Sequence, residues 1–262
     1  MNLNLTGKTA IVCGSTQGLG YASAVELALL GANVALMARN EESLRAVIKT
    51  LDISSNQTHK YIVADFDDTT MVKTAIDNFL ISHPVVHILI NNTGGPAGGA
   101  ALSATPEEFL QAFNKHLICN HILTTAVIPS MKKEGYGRII NIISTSVKQP
   151  IPGLGVSNTI RAAVASWSKT LATELAPFGI TVNNVLPGFT KTSRANYVIN
   201  KKAGDSGKSP EKIMEEVIAE IPAGRIGDPK EFGAAVAFLC SPAAGYINGI
   251  NLPVDGGRLS TL

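Results

Sequence analysis

Short apolar runs rich in valine and isoleucine alternate along this chain with longer amphipathic stretches. The runs are Thr9–Cys13, Val34–Met37, Tyr61–Ala64, His87–Ile90, Arg138–Ile143, Ile180–Val185 and Ile250–Val254. Apolar runs this short and continuous read as strands buried on both faces, which predicts a parallel sheet with helices on each side. Between them, the spacing of apolar residues predicts helices at about 19–30, 41–51, 69–82, 106–133, 158–177, 210–220 and 229–240. In the helix at 158–177, Ile160, Val164, Trp167, Leu171 and Leu175 fall on one face, as a core-facing helix requires. The expected fold is α/β: a single domain over 1–262, built as a doubly wound Rossmann-type parallel sheet of seven strands. The stretch Asn196–Ser209, rich in Lys, Gly and Ser, reads as low in order, and about 193–222 reads as a lid-like insertion after the sixth strand.

Composition narrows the partners. The 262 residues are 45% hydrophobic, enough to bury one substantial core. The formal charge is only +2 with Lys and Arg scattered, so neither nucleic acid nor an anionic membrane is expected as a partner, and a small-molecule substrate is. No apolar run is long enough to span a bilayer and no secretory h-region opens the chain, which gives a cytoplasmic expectation. Cys13, Cys119 and Cys240 lack metal-ligand spacing and read as reduced core thiols, so no metal is expected.

The clearest chemical signal follows the first strand. Gly14, Ser15, Thr16, Gln17, Gly18, Leu19 and Gly20 form a glycine-rich turn opening a helix, where backbone amides and the helix dipole can hold a pyrophosphate. The second strand ends in Met37, Ala38, Arg39 and Asn40. An acidic residue there would accept from a ribose 2′-hydroxyl, whereas Arg39 suits a 2′-phosphate, so NADP(H) is expected ahead of NAD(H). Glu41 lies two positions on, inside the expected helix.

Further along stand Ser144, then Ser157 and Arg161 thirteen and seventeen residues later, then the segment Pro187, Gly188, Phe189, Thr190, Lys191 and Thr192. With the glycine turn, this order resembles the short-chain dehydrogenase/reductase family, particularly its 3-oxoacyl-[acyl-carrier-protein] reductase-like branch. The resemblance implies that Asp65, Phe66, Asn92 and Gly94 line the adenine side of the cofactor site, and that Pro187, Gly188, Phe189 and Thr192 hold the nicotinamide carboxamide. It implies a homo-oligomer, dimer or tetramer, joined through the helices at about 106–133 and 158–177. It also implies a catalytic tetrad, and here the chain departs from the family. Serine 157 stands in place of the family tyrosine and Arg161 in place of the lysine, and no tyrosine lies between Gly137 and Asn196. Counting back from Pro129, the family's helix asparagine falls on His116, with Asn114 or Asn120 taking that place in a shifted register. A further departure is Cys13, where the family usually has a threonine that ties down the glycine turn, which predicts a looser loop.

A serine hydroxyl is a far weaker acid than a phenol, and a guanidinium keeps its proton at any working pH. Ser144, Ser157 and Arg161 therefore read as an oxyanion-binding set, with His116 as proton donor and Tyr197 or water as the fallback. The expected function is an NADP(H)-dependent oxidoreductase that reduces a small carbonyl or 3-oxoacyl-type substrate by a non-standard proton route. Two alternatives stand beside it. One is a catalytically silent dinucleotide-binding protein, in which His116 and Ser144 are structural. The other is a halohydrin-dehalogenase-like lyase, which also carries arginine in the lysine position but keeps the tyrosine and loses the glycine turn, the reverse of this chain.

Overall fold

A computed structural model describes residues 1–261. The seven predicted strands are present as β1 (Thr9–Cys13), β2 (Asn33–Ala38), β3 (Lys60–Val63), β4 (Ile88–Asn91), β5 (Gly137–Ile142), β6 (Ile180–Pro187) and β7 (Asn251–Val254). All pair in parallel, in the order β3-β2-β1-β4-β5-β6-β7. Both faces are buried, as continuous apolar runs require. Along β1, Ala10 and Val12 enter one core while Ile11 and Cys13 enter the other.

The helices α1 (Gly18–Leu29), α2 (Glu41–Ile48) and α3 (Thr69–Ser82) follow the first three strands. After β4 come α4 (Pro106–Phe113) and α5 (Cys119–Glu134); α6 (Gly155–Leu175) follows β5; α7 (Ser193–Ser206), α8 (Pro210–Ala219) and α9 (Pro229–Cys240) lie between β6 and β7. The first core packs α1 and α9 on the sheet around Phe232, and the second packs α3, α5 and α6 on the opposite face. The face of α6 forms as its spacing predicts: Ile160, Val164 and Leu175 are buried, with Trp167 and Leu171 partly so. Among the described residues, no helix is long and apolar enough to cross a membrane.

Two predicted elements differ. The helix expected over 106–133 is interrupted by a π-helical stretch, Asn114–Ile118, between α4 and α5. Such an inserted residue shifts helical register without altering composition. The stretch Asn196–Ser209, expected to be low in order, is instead mostly α7, capped at its start by Thr192 Oγ1, which accepts from the Ala195 amide. Ile199 and Ala203 on α7 pack with Ile213 and Val217 on α8 and with Ile221, forming a small core separate from the two main ones. That packing stabilises a helix that intrinsic propensity alone does not.

A row of asparagines runs through the sheet. Asn91, Asn141, Asn184 and Asn251 occupy adjacent register positions on β4 to β7. Asn91 Nδ2 donates to Asn141 Oδ1 at 2.9 Å, Asn141 Nδ2 to Asn184 Oδ1 at 3.1 Å, and Asn184 Nδ2 to Asn251 Oδ1 at 2.8 Å. Asn141 Nδ2 also donates to Ser168 Oγ on α6 at 3.2 Å, fixing that helix to the sheet. The buried amides of Asn141 and Asn184 are tolerated in the sheet because they find partners, while Asn91 Oδ1 at the end of the row is left without one.

Candidate active site

Strand order reverses between β1 and β4, and there the carboxyl ends of the strands open a crevice, the usual ligand position in such sheets. Gly14 ends β1 with φ +55°. A Cβ there would lie 2.7 Å from Asn92, and a Cβ on Gly20 would overlap the Gly14 carbonyl, so both positions require glycine. The loosening expected from Cys13 does not follow, because Asn92 Nδ2 donates to the carbonyls of Cys13 and Gly14, each at 3.2 Å, and the Gly14 amide donates to Met37 O at 2.8 Å. Asn92 thus supplies from β4 the restraint expected of a threonine.

The crevice is a cavity of about 660 Å³. Of the expected cofactor residues, Gly14, Gln17, Gly18, Leu19, Arg39, Asp65, Phe66, Asn92, Gly94, Pro187, Gly188, Phe189 and Thr192 line it. Ser15 and Gly20 do not: Ser15 is fully buried, with an Oγ that lacks a hydrogen-bond partner, and Gly20 lies in the packed start of α1. Arg39 lies at the cavity end expected to take the adenine, with its side chain 73% exposed, and its Nη1 lies 3.9 Å from Asp65 Oδ2, a loose pairing. Asn40 caps α2 through Ser43, and Glu41 is turned to Arg45 and Tyr61 rather than toward Arg39. At the far wall, Ser193 Oγ bonds Gln17 Oε1 at 3.2 Å, joining the start of α7 to the glycine turn.

The expected tetrad does not assemble as a hydrogen-bonded set. Arg161 alone of its members lines the cavity. Its residue surface is 7% exposed and Nη1 donates to Ile142 O at 3.1 Å. Burial, and after it the charge of Arg194, holds its pKa below the ordinary value, at about 10, so it remains a cation at working pH. Ser144 Oγ accepts from the Ser146 amide at 3.0 Å and caps the turn after β5, a structural task. Ser157 is buried beside Arg161 on α6 but outside the lining.

His116 needs the largest correction. The π-helical stretch places it 1% exposed, with Nδ1 2.6 Å from Thr93 Oγ1 and Nε2 without a partner. Burial, then the charges of Arg161 and Lys115, push its pKa down to about 2. It is therefore a neutral imidazole at working pH and does not titrate near neutrality as expected. In the alternative register, Asn114 is exposed and Asn120 buried, and neither lines the cavity.

Sequence reasoning gave no site role to several lining residues, among them Ala38, Thr93, Lys115 and Arg194. Lys115 is bound to Asp67 at 2.8 Å, and Arg194 Nη2 reaches across to Pro96 O at 3.1 Å. Thr16 lines the cavity too, as its place inside the glycine turn implies, whereas Arg194 opens the stretch read as a lid-like insertion and was not singled out within it. Cys13, Cys119 and Cys240 are buried and free, burial raises each thiol, and no metal-holding cluster occurs among the described residues.

Comparisons with known proteins agree with this fold. The family model described as enoyl-(acyl carrier protein) reductase matches residues 14–258. The 3-oxoacyl-[acyl-carrier-protein] reductase FabG of Haemophilus influenzae is 35% identical over 254 residues, covering 97% of this chain and 98% of that protein. Human dehydrogenase/reductase SDR family member 4 is 32% identical over 263 residues, 98% of this chain and 90% of that one. Among solved structures, L-sorbose reductase from Gluconobacter frateurii, complexed with NADPH and L-sorbose, superimposes with a TM-score of 0.93 over 100% of both chains at 29% identity. The NADPH-dependent reductase YwfH gives 0.90 over 97% of this chain and 99% of that one, at 27% identity. Matched from the glycine turn almost to its end, the chain belongs to the short-chain dehydrogenase/reductase family of oxidoreductases.

Proposed function

We propose that this protein is an NADP(H)-dependent oxidoreductase acting on a small carbonyl or 3-oxoacyl-type substrate, with a proton route that bypasses the family tyrosine. The observation that carries this reading is the unbroken cavity from the glycine turn, past Arg39, to Arg161 and the underside of α7. A dinucleotide fits it: Gly14, Gln17 and Gly18 line a cavity of about 660 Å³, and Arg39 lies on the wall expected to face the adenosine. Gly14, Gln17 and Gly18 would hold the pyrophosphate, Asp65 and Asn92 the adenosine side, and Pro187, Gly188 and Thr192 the nicotinamide. When bound, the dinucleotide supplies or accepts a hydride.

Arg161 stabilises the charge that hydride transfer creates. As the carbonyl carbon gains the hydride, the C=O π pair moves to oxygen, and the guanidinium in this water-poor wall receives the alkoxide. Neutral His116 and the capping Ser144 do not deliver the proton, although His116 fixes Thr93 in the lining. Proton delivery falls to Tyr197, the one tyrosine in the lining among the described residues, carried on α7 with Arg194 over its ring at 5.2 Å. Its phenol protonates the alkoxide and regains its proton from solvent.

The test is turnover of ketones and 3-oxoacyl thioesters with NADPH, in the parent and in Tyr197→Phe. The variant is expected to keep its NADPH affinity and lose about 10²-fold or more in turnover. Unchanged turnover would make water the donor. Tight NADPH binding with no turnover by the parent on any carbonyl would favour the silent dinucleotide-binding protein, a reading supported by the burial of His116 and by the absence of Ser157 from the cavity wall.

A further inference from the structure

Arg161 is a buried cation without an anion. Its single hydrogen bond is to a backbone carbonyl, and none of the ion pairs among the described residues includes it. Burying a guanidinium uncompensated is costly, and such a group is retained where a ligand completes it. A second cation, the exposed Arg194, lies over the Tyr197 ring close enough for its charge to act on Arg161, and it lines the same cavity. It too enters no ion pair among the described residues; Nη2 rests on Pro96 O. Of the other lining cations, Lys115 is paired with Asp67 at 2.8 Å and Arg39 has Asp65 at 3.9 Å, a loose contact at the opposite end. Among the described residues, Asp65 is the one carboxylate in the lining, and it lies beside Arg39. The substrate end therefore carries two positive charges and no negative one. Gly95, whose absent Cβ would lie 3.8 Å from Arg161 Nη2, leaves space beside the guanidinium. The first turn of α7 adds the unsatisfied amides of Ser193 and Arg194 to the same wall.

We infer that this end of the cavity takes a carbonyl substrate bearing a carboxylate, a small oxo acid rather than a neutral ketone or sugar. Arg194 and the α7 amides hold the carboxylate, while Arg161 faces the carbonyl oxygen. The inference rests on the proposed oxidoreductase reading and narrows its substrate class. Reduction then consumes one hydride from the nicotinamide and one proton, and yields the corresponding hydroxy acid.

The test is calorimetric titration with 2-oxobutanoate, 3-oxobutanoate and 4-oxopentanoate, each against its methyl ester, on the protein with and without saturating NADP⁺, which cannot reduce them, with NADPH affinity titrated separately. At least one acid is expected to bind about tenfold or more tightly than its ester, the range of a charge-assisted hydrogen bond. Arg194→Gln should remove that preference and leave NADPH affinity within about twofold, while Arg194→Lys should keep part of it. Equal binding of every acid and ester, with NADPH binding intact, would overturn the inference and leave the oxidoreductase reading standing. Acid preference without NADPH binding would support the anion site and sink the cofactor reading. Loss of NADPH affinity in Arg194→Gln with acid preference retained would assign Arg194 to the cofactor pyrophosphate and overturn the inference.

Discussion

Arg39 is exposed and only loosely matched by Asp65, so its guanidinium is free to turn toward a 2′-phosphate. Arg39→Ala is expected to weaken NADPH binding by about 1.5–3 kcal/mol, roughly 10- to 100-fold, and to leave NADH nearly unchanged. Calorimetry with both cofactors checks this, and equal affinities in the parent would remove the basis for NADP(H) preference. His116 carries a different kind of signature. In the unfolded chain it takes up a proton below about pH 6.5, while in the fold its pKa is pushed down to about 2. The unfolded state thus binds more protons in that window, and the fold loses up to about 1.4 kcal/mol per pH unit on acidification below 6.5. His87, also lowered by burial, adds to the same slope. Denaturant titrations at pH 7 and pH 5 should show His116→Asn as the less acid-sensitive protein; a variant as acid-sensitive as the parent would contradict the buried neutral imidazole.

Among the elements, the asparagine row and the α7–α8 pair set the site's rigidity and its access. Asn141 bonds Asn91, Asn184 and Ser168 at once, so Asn141→Leu strands three buried partners. The expected loss is about 2–4 kcal/mol of stability, read from the denaturation midpoint, whereas a change below 1 kcal/mol would show the network to be nearly neutral. The α7–α8 pair has its own core, so it can loosen without opening the sheet. Val217→Ala should raise proteolytic cleavage between about 193 and 222, with protection restored by NADPH, because Ser193 bonds Gln17 beside the expected pyrophosphate. Cleavage unaffected by either change would mean that α7 and α8 are fixed by contacts other than their shared core.

For the whole molecule, the remaining proposal is self-association through the α4, α5 and α6 faces. Leu110 is 61% exposed and Phe113 36% exposed on α4, while His121 and Trp167 meet edge to face between α5 and α6. Exposed apolar side chains grouped this way favour burial against a second copy. Light scattering should give a dimeric or tetrameric mass for the parent, and Leu110→Glu with Phe113→Lys should reduce it; a monomeric parent would end the proposal.

What could be read from the order of residues is what depends on local pattern. Buried strands need continuous apolar runs, and a glycine turn needs residues without Cβ atoms, so the sheet and its helices follow from local pattern, and Gly14, Arg39, Asp65, Asn92 and Gly188 could be expected at one cavity wall from their spacing. The identities of Ser157 and Arg161 were equally plain. Their consequences were not, because acidity and access are properties of surroundings. Only packing decided that a π-helical stretch buries His116 and keeps it neutral, that Ser157 stays off the cavity wall, that Asn92 restrains the turn Cys13 was expected to loosen, and that α7 brings Arg194 toward Arg161. Each of these depends on groups far apart in the chain, whose desolvation and mutual charge arise only once the tertiary fold has brought them together.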